Sequence, residues 1–363
     1  MQFCDLNRQY KAYQQEIDTA IHDVIESSSF INGKAIDDLE EQLSAFAGVG
    51  HSIACSSGTD ALLLAMMAKD VEPGDEIICP AFSFFASASM IRFLKAVPIF
   101  VDVSPLDFNI DVTLIEQKIT AKTKGIIGVS LFGQCADFDA INSIAKHYSL
   151  WVIEDAAQSF GARYHGKRSC NLTELAVTSF FPAKPLGCYG DGGAVFTKDP
   201  LLAAKLRMLR SHGQAKRYEH HFVGINGRMD TLQAAILQVK LKYFEQEIET
   251  RNAAAQSYLE LLDGHVLLPE IGEDNQSVWA QFTIGVDQRD ELKLKLQKKG
   301  VPCVVHYPEI LPKQSAFEDL PSHSEKFEVA ELLSKTVLSL PMHGLIRNEE
   351  VKFVAESIIE LLN

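Results

Sequence analysis

The sequence predicts an α/β fold: a mostly parallel, doubly wound sheet in a large domain, followed by a smaller α+β domain. Three observations carry this. Short apolar runs such as Ile77-Ile78, Ile126-Ile127 and Val152-Ile153 alternate with helical stretches, and strands alternating with helices pair in parallel. Polar residues gather at the carboxyl ends of those runs, where such sheets bind ligands. A long helix beginning at Asp230 then separates this region from a stretch of mixed strands and helices.

The elements follow in order. Tyr10 to Ser27 reads as an amphipathic helix, because Ile17, Ile21 and Ile25 fall four apart. Phe30-Ile31-Asn32-Gly33 is a turn, and Asp37 to Phe46 a second helix with Leu39, Leu43 and Phe46 on one face. Ser52 to Cys55 is a short strand, and Ala61 to Ala68 is a run of strong helix formers. Between them lies Ser56-Ser57-Gly58-Thr59-Asp60. A helix N-terminus there offers free N–H groups and a positive dipole end to an anion. A plain N-cap by Ser57, Thr59 or Asp60 is compatible with that role.

Strands are expected at 75–79, 97–101, 125–130, 151–154, 176–180 and 194–197. The intervening helices are Phe82 to Phe93, with Phe84 and Phe85 in its first turn, Leu114 to Ile119, and Phe138 to Tyr148. Asp155, Gln158 and Ser179 lie at strand ends and Gly58 and Thr59 just past one, so topology lets them converge on one crevice. Pro200 to Ser211 is a helix, and Gly213 to Gly227 an irregular polar loop long enough to suspect function. Asp230-Thr231-Leu232-Gln233 has the layout of a capping box. It opens a helix through about Leu262, with Leu232, Ile236, Val239 and Tyr243 on one stripe. Beyond it, strands at 278–286 and 303–306 mix with helices at 289–299, 326–333 and 348–362. The domain boundary is expected near Gln246, giving a large domain 1–245 and a small domain 246–363.

The chain has 363 residues, 47% hydrophobic and 23% charged, which suits a globular protein and disfavours disorder. A net charge of -14 argues against general affinity for nucleic acid or an anionic membrane. Met1 to Asn7 shows neither a basic n-region nor an apolar core, and the apolar runs are too short to span a bilayer, so a cytoplasmic protein is expected. Seven cysteines without C-x-x-C spacing read as free thiols. No metal-ligand cluster or repeat is visible, and His220-His221 reads as surface.

Lys184 sits between Phe180-Phe181-Pro182-Ala183 and Pro185-Leu186-Gly187, with Gly190-Asp191-Gly192-Gly193 just after. Desolvation in such a setting lowers an amine's pKa and frees its lone pair, as Schiff-base lysines require. Taken alone, the stretch equally admits a lysine at a loop mouth with its head in water. Added to it are a phosphate cradle at Gly58-Thr59, an aromatic at Phe84, a carboxylate at Asp155, an amide at Gln158 and a hydroxyl at Ser179. Together they match the needs of pyridoxal phosphate: a lysine for its aldehyde, a carboxylate for its ring nitrogen, an aromatic face, and a helix N-terminus for its phosphate.

Eight segments in order carry a resemblance over nearly the whole chain. They are Gly58 to Leu62, Pro80 to Phe84, Gly133 to Asp137, Glu154 to Ser159, Ser179 to Lys184, Gly190 to Gly193, Asn226 to Asp230, and His306-Tyr307-Pro308. The chain resembles the DegT/DnrJ/EryC1/StrS sugar-nucleotide aminotransferases, which are fold type I pyridoxal phosphate enzymes. The nearest branch acts on UDP-2-acetamido-2-deoxy-3-oxo-D-glucuronate in making bacterial surface polysaccharide (O-antigen) precursors.

The resemblance implies roles. Lys184 would hold pyridoxal 5'-phosphate and shuttle the proton. Asp155 would pair with the pyridine nitrogen, and Gln158 would lie near the phenolic oxygen. Gly58, Thr59 and Ser179 would bind phosphate. Phe84 would stack on the ring, with a core phenylalanine as its rival. Asn226 would reach the cofactor of a neighbouring subunit, which implies a homodimer with shared sites. Arg228, a planar donor fork suited to a uronate carboxylate, would bind substrate with His306 and Tyr307; an ion pair across a subunit boundary is the alternative for Arg228. Gly227 stands where many relatives carry a larger residue, which would leave room near Arg228 and loosen that loop. The implied reaction moves an amino group from an amino acid, glutamate, to a keto sugar nucleotide.

The sequence has three rival readings: a dehydratase on the same fold, which has histidine in place of the lysine; a nicotinamide oxidoreductase, whose G-x-G-x-x-G is missing here; and a non-enzymatic protein on this scaffold. A 4-keto or other 3-keto nucleotide hexose is the alternative substrate.

Overall fold

A computed structural model of the chain describes residues 1–362. Two helices, α1 (Leu6–Ser27) and α2 (Lys34–Ala47), precede strand β1 (His51–Cys55) and helix α3 (Gly58–Ala68). Then come β2 (Glu76–Pro80), α4 (Ala86–Phe93), β3 (Val97–Val101), β4 (Thr123–Val129), α5 (Phe138–Tyr148) and β5 (Trp151–Asp155). The two-residue strands β6 (Arg163–Tyr164) and β7 (Lys167–Arg168) form a small hairpin, followed by β8 (Leu175–Ser179), β9 (Gly193–Thr197) and α6 (Pro200–Leu209). A second hairpin, β10 (Gln214–Lys216) and β11 (Glu219–His220), leads into α7 (Thr231–Leu262). The chain ends with β12 (Asn275–Gln276), β13 (Phe282–Gly285), α8 (Arg289–Lys298), α9 (Glu328–Thr336), β14 (Val337–Leu340) and α10 (Asn348–Leu362).

The main sheet has seven strands in the order β1-β9-β8-β5-β4-β2-β3. Strand β9 runs antiparallel to both of its neighbours, and the β8-β5-β4-β2-β3 pairings are parallel. Alternation along the strands serves both faces. Ile77, Ile127, Ile153, Val177 and Val195 join one apolar cluster. Their neighbours Ile78, Ile126 and Val152 pack on the other side with α5, and Ala176 and Phe196 do so around Phe160 and Phe244. This is the mostly parallel, doubly wound α/β sheet that the sequence predicts.

Helix α7 spans 32 residues, about 48 Å. Its Ala234, Leu237 and Phe244 pack with Phe160 and Phe180, whereas Ala254, Tyr258 and Leu262 pack with Phe282 and Leu338 of β13 and β14. No helix among the described residues is long and apolar enough to cross a membrane.

Several elements differ from expectation. The helix expected from Phe82 begins only at Ala86, because Ala81 N–H still bonds the Val101 carbonyl at 2.8 Å and carries the strand pairing onward. Residues 114–119 form 3-10 turns rather than a helix. The loop after Gly213 contains the β10–β11 hairpin. Asp230 makes no side-chain cap; Thr231 N–H takes the Phe30 carbonyl at 3.0 Å, and Gln233 Oε1 accepts from Tyr189 N–H instead. The strand expected at 278–286 is confined to Phe282–Gly285. The strand expected at 303–306 reduces to a single bridge between Val304 and Ser339 of β14, a strand absent from the expectation, whose other edge pairs with β13.

Candidate active site

The carboxyl ends of β1, β5 and β8 open onto one cavity of about 370 Å³. Gly58, Thr59, Phe84, Asp155, Gln158, Ser179, Lys184, His306 and Tyr307 all line it. Nine sequence-predicted site residues from five separate stretches are thus brought together.

At one end lies the N-terminus of α3. Ser57 caps it by accepting Asp60 N–H at 3.0 Å, which leaves the Gly58 and Thr59 amides without a protein partner among the described residues. Free first-turn amides and a positive dipole end form an anion cradle. Ser179, the last residue of β8, lies against it. A Cβ on Gly58 would fall 2.6 Å from Ser179 Cβ, so glycine is what allows helix and strand to close up here.

Asp155 ends β5 and is 5% exposed. Its Oδ1 accepts Ala157 N–H at 3.1 Å and its Oδ2 accepts Ser87 Oγ–H at 3.0 Å. Desolvation raises its pKa; the two hydrogen bonds and the nearby Lys184 amine pull it down. Ser87 was not foreseen. It is 68 residues from Asp155 in sequence, and a lone serine in a helix carries no signal for such a contact.

Lys184 follows β8 in a turn where its own N–H donates to the Phe181 carbonyl at 2.8 Å. Its stem is half-buried and its amine desolvated, which brings its pKa down to about 8, with Asp155 acting in the opposite sense. Behind the turn, the amine of Lys240 donates to the Gly187 carbonyl. Lys240 is 2% exposed, a buried cation bracing the loop.

Gln158 Oε1 accepts Phe132 N–H at 2.7 Å, and its Nε2 donates to the Tyr307 hydroxyl at 3.0 Å. The Tyr307 hydroxyl therefore keeps its own hydrogen to offer. His306 Nδ1 bonds Ser339 Oγ at 2.9 Å, and desolvation lowers its pKa to about 4, so it is neutral at pH 7. Phe84 is half-exposed over the cavity, with its ring 6.2 Å from that of Tyr307, so the core phenylalanine here is Phe82 instead.

Asn226 and Arg228 do not line this cavity in their own chain. Asn226 is exposed and bridges to Ser211. Arg228 Nε is buried without a partner. Gly227 does not loosen the loop: its N–H donates to the Arg210 carbonyl and its carbonyl accepts Ser56 N–H, each at 2.9 Å.

Residues 11–359 match the DegT/DnrJ/EryC1/StrS aminotransferase family. The chain is 47% identical over 359 residues to the UDP-2-acetamido-2-deoxy-3-oxo-D-glucuronate aminotransferase of Pseudomonas aeruginosa, covering 99% of each. It superimposes on a DegT DnrJ EryC1 StrS aminotransferase from Brucella abortus with a TM-score of 0.96 and 37% identity over the whole of both chains. The structure of ntda from Bacillus subtilis with bound cofactor PMP matches at TM-score 0.90 and 33% identity, covering 97% of this chain and 82% of that one.

Proposed function

The chain belongs to the DegT/DnrJ/EryC1/StrS aminotransferase family, and from that premise we propose that it carries an amino group from L-glutamate to UDP-2-acetamido-2-deoxy-3-oxo-D-glucuronate. It is a pyridoxal phosphate-dependent sugar-nucleotide aminotransferase. Its product would serve bacterial surface polysaccharide (O-antigen) assembly in the cytoplasm.

The observation that supports this reading best is one cavity holding a desolvated lysine, a buried carboxylate and the free end of α3. The residues present fit the cofactor. The unpartnered Gly58 and Thr59 amides with Ser179 Oγ suit a phosphate dianion. Asp155, with each oxygen holding one donor, keeps acceptor capacity for a protonated ring nitrogen. Phe84 would cover the ring face, and Gln158 with Tyr307 would meet its phenolic oxygen. When bound, the cofactor supplies an aldehyde carbon for amine attachment and an electron-poor ring that stabilises carbanionic charge.

Lys184 Nζ would hold the cofactor, then take and return the proton of the substrate carbon that bears the nitrogen. A pKa near 8 suits both tasks near neutrality. Neutral His306 would offer a ring N–H or lone pair to the substrate without adding charge. In the net exchange the donor's C–NH2 becomes C=O and the sugar's C=O becomes C–NH2, so glutamate leaves as 2-oxoglutarate.

Two chains would share each site. Asn226 and Arg228 point to this arrangement, since neither serves the cavity of its own chain. Arg228 from a neighbouring subunit would pair with the uronate carboxylate. The division into a large domain 1–245 and a small domain 246–363 rests on the change of core along α7.

The test is to reconstitute the protein with pyridoxal phosphate, supply glutamate, and offer the 3-keto uronate beside neutral 3-keto and 4-keto sugar nucleotides. Amination of the uronate with release of 2-oxoglutarate is expected, with none in Lys184→Ala. Preference for a neutral hexose would overturn the substrate assignment. Arg228→Ala should harm the uronate reaction far more than the neutral one; equal losses would remove the carboxylate role.

A further inference from the structure

Most polar groups around the cavity have partners inside the protein. Both oxygens of Asp155 accept hydrogen bonds, both ends of the Gln158 amide are engaged, and His306 Nδ1 is held by Ser339. Gln281 is different. It lines the same cavity and is 9% exposed, yet its Oε1 is buried with no hydrogen-bond partner. No other residue among those described bonds its side-chain amide.

The backbone that carries this side chain is held in place. Gln281 N–H donates to the Phe132 carbonyl at 3.3 Å, and the next residue, fully buried Phe282, begins β13. Two residues on, Thr283 Oγ1 lies 2.8 Å from Ser339 Oγ, the same hydroxyl that holds His306. Gln281 therefore belongs to a fixed polar wall rather than a mobile loop. A buried amide oxygen without a donor is costly and persists where something else completes it.

The buried, unpartnered end of this amide is its oxygen, which accepts and cannot donate; the N–H end is not among the buried unpartnered atoms. Away from its reacting nitrogen, glutamate presents only carboxylates, which also accept. The sugar presents hydroxyl and acetamido N–H donors around the carbon that receives nitrogen. We propose that Gln281 is a specificity-determining contact for the sugar: its Oε1 accepts a hydrogen bond from an O–H or N–H donor on the ring of the keto sugar nucleotide. This rests on the function proposed above and deepens it, since it assigns the residue to one of the two half-reactions.

The half-reactions allow a clean test with Gln281→Met, close to the same length, and Gln281→Leu as a second variant. Loss of the visible band of the lysine-bound cofactor on adding glutamate reports the first half-reaction. Calorimetry with the UDP-amino sugar uronate product reports sugar binding to the loaded protein. Both variants are expected to react with glutamate at within about twofold of the wild-type rate and to bind the sugar nucleotide about tenfold more weakly. Thermal stability should hold or rise, because an unpartnered buried polar group is removed; a purely structural role would lower it. If the variants bind the product as the wild type does, or slow the glutamate step as much as the sugar step, the inference is overturned while the proposed function stands. If the wild type reacts with glutamate but binds no uronate product, the proposed substrate fails and the inference falls with it.

Discussion

Gln158 donates its side-chain N–H to the hydroxyl of Tyr307 at 3.0 Å, a bond between residues 149 apart that spans the cavity. The other end of the same amide accepts the buried Phe132 N–H at 2.7 Å. The two ends carry unequal stakes. Gln158→Leu strips the Phe132 N–H of its acceptor in a buried setting, which costs about 1–3 kcal/mol. Tyr307→Phe removes only a partner that faces the cavity, and is expected to cost less than about 1 kcal/mol. Urea unfolding of the cofactor-free protein would measure both. Equal losses would mean that the Tyr307 contact, rather than the Phe132 contact, holds this wall.

How much of this was legible in the sequence follows from the reach of each signal. Gly58, Thr59, Asp155, Ser179 and Lys184 could be read because each stands at a strand end, and parallel sheets gather strand ends. Ser87 and Gln281 could not. One touches the site through a contact 68 residues long, and the other follows Ala280 in a stretch that reads as strand. Lys240 left a trace: Ile236, Lys240 and Phe244 fall four apart, which puts a lysine on a buried stripe of α7. The strand β14 carries no turn signal before it, since it begins at Val337 directly where α9 ends at Thr336. The capping box at Asp230 failed for a tertiary reason, the diversion of Gln233 to Tyr189.

The depressed pKa of Lys184, about 8, sets a pH dependence for cofactor uptake. The neutral amine attacks the aldehyde, and its fraction grows about tenfold per pH unit below the pKa and levels off above it. Stopped-flow uptake by the cofactor-free protein should therefore rise from pH 6 to about pH 8 and then flatten. Asp155 raises the Lys184 pKa, so Asp155→Asn should move the bend to lower pH. A bend near the ordinary lysine value, or one unmoved in Asp155→Asn, would contradict the pairing. The same substitution should cut turnover by about 10²–10³-fold, the scale for removing one fixed electrostatic partner.

Gly58→Ala tests the phosphate cradle. The added methyl meets Ser179 Cβ at 2.6 Å and its Oγ at 3.1 Å, so α3 and β8 must move apart. Both are core elements: β8 is buried for most of its length, and α3 carries seven buried residues, so the shift is taken at the cradle. Cofactor affinity, read by fluorescence titration, is expected to fall at least about tenfold. Inorganic phosphate should likewise lose its protection of the cofactor-free protein against heating. Unchanged affinity would place the phosphate elsewhere.

The last expectation concerns the ends of the chain. Arg8 in α1 holds Glu350 in α10 with both guanidinium nitrogens, at 2.7 and 2.8 Å, and also donates to the Leu345 carbonyl at 2.9 Å. These bonds keep the Glu350 carboxyl well below the ordinary carboxylate range, with burial opposing them. Arg8→Met leaves a 9%-exposed carboxylate with only Arg347 beside it. Allowing for the partial exposure of Arg8, the loss is about 1–2 kcal/mol at pH 7. The sign with pH follows from linkage. A carboxyl whose folded pKa lies below its unfolded value adds stability that is complete above the unfolded value, ordinarily 4.5, and drains away as pH falls through and below it. Scanning calorimetry should thus show a clear gap between wild type and Arg8→Met at pH 7 that narrows by pH 3.5. A gap that widens on acidification would mean that Arg8 acts through packing of its stem against α10 and not through the charge of Glu350.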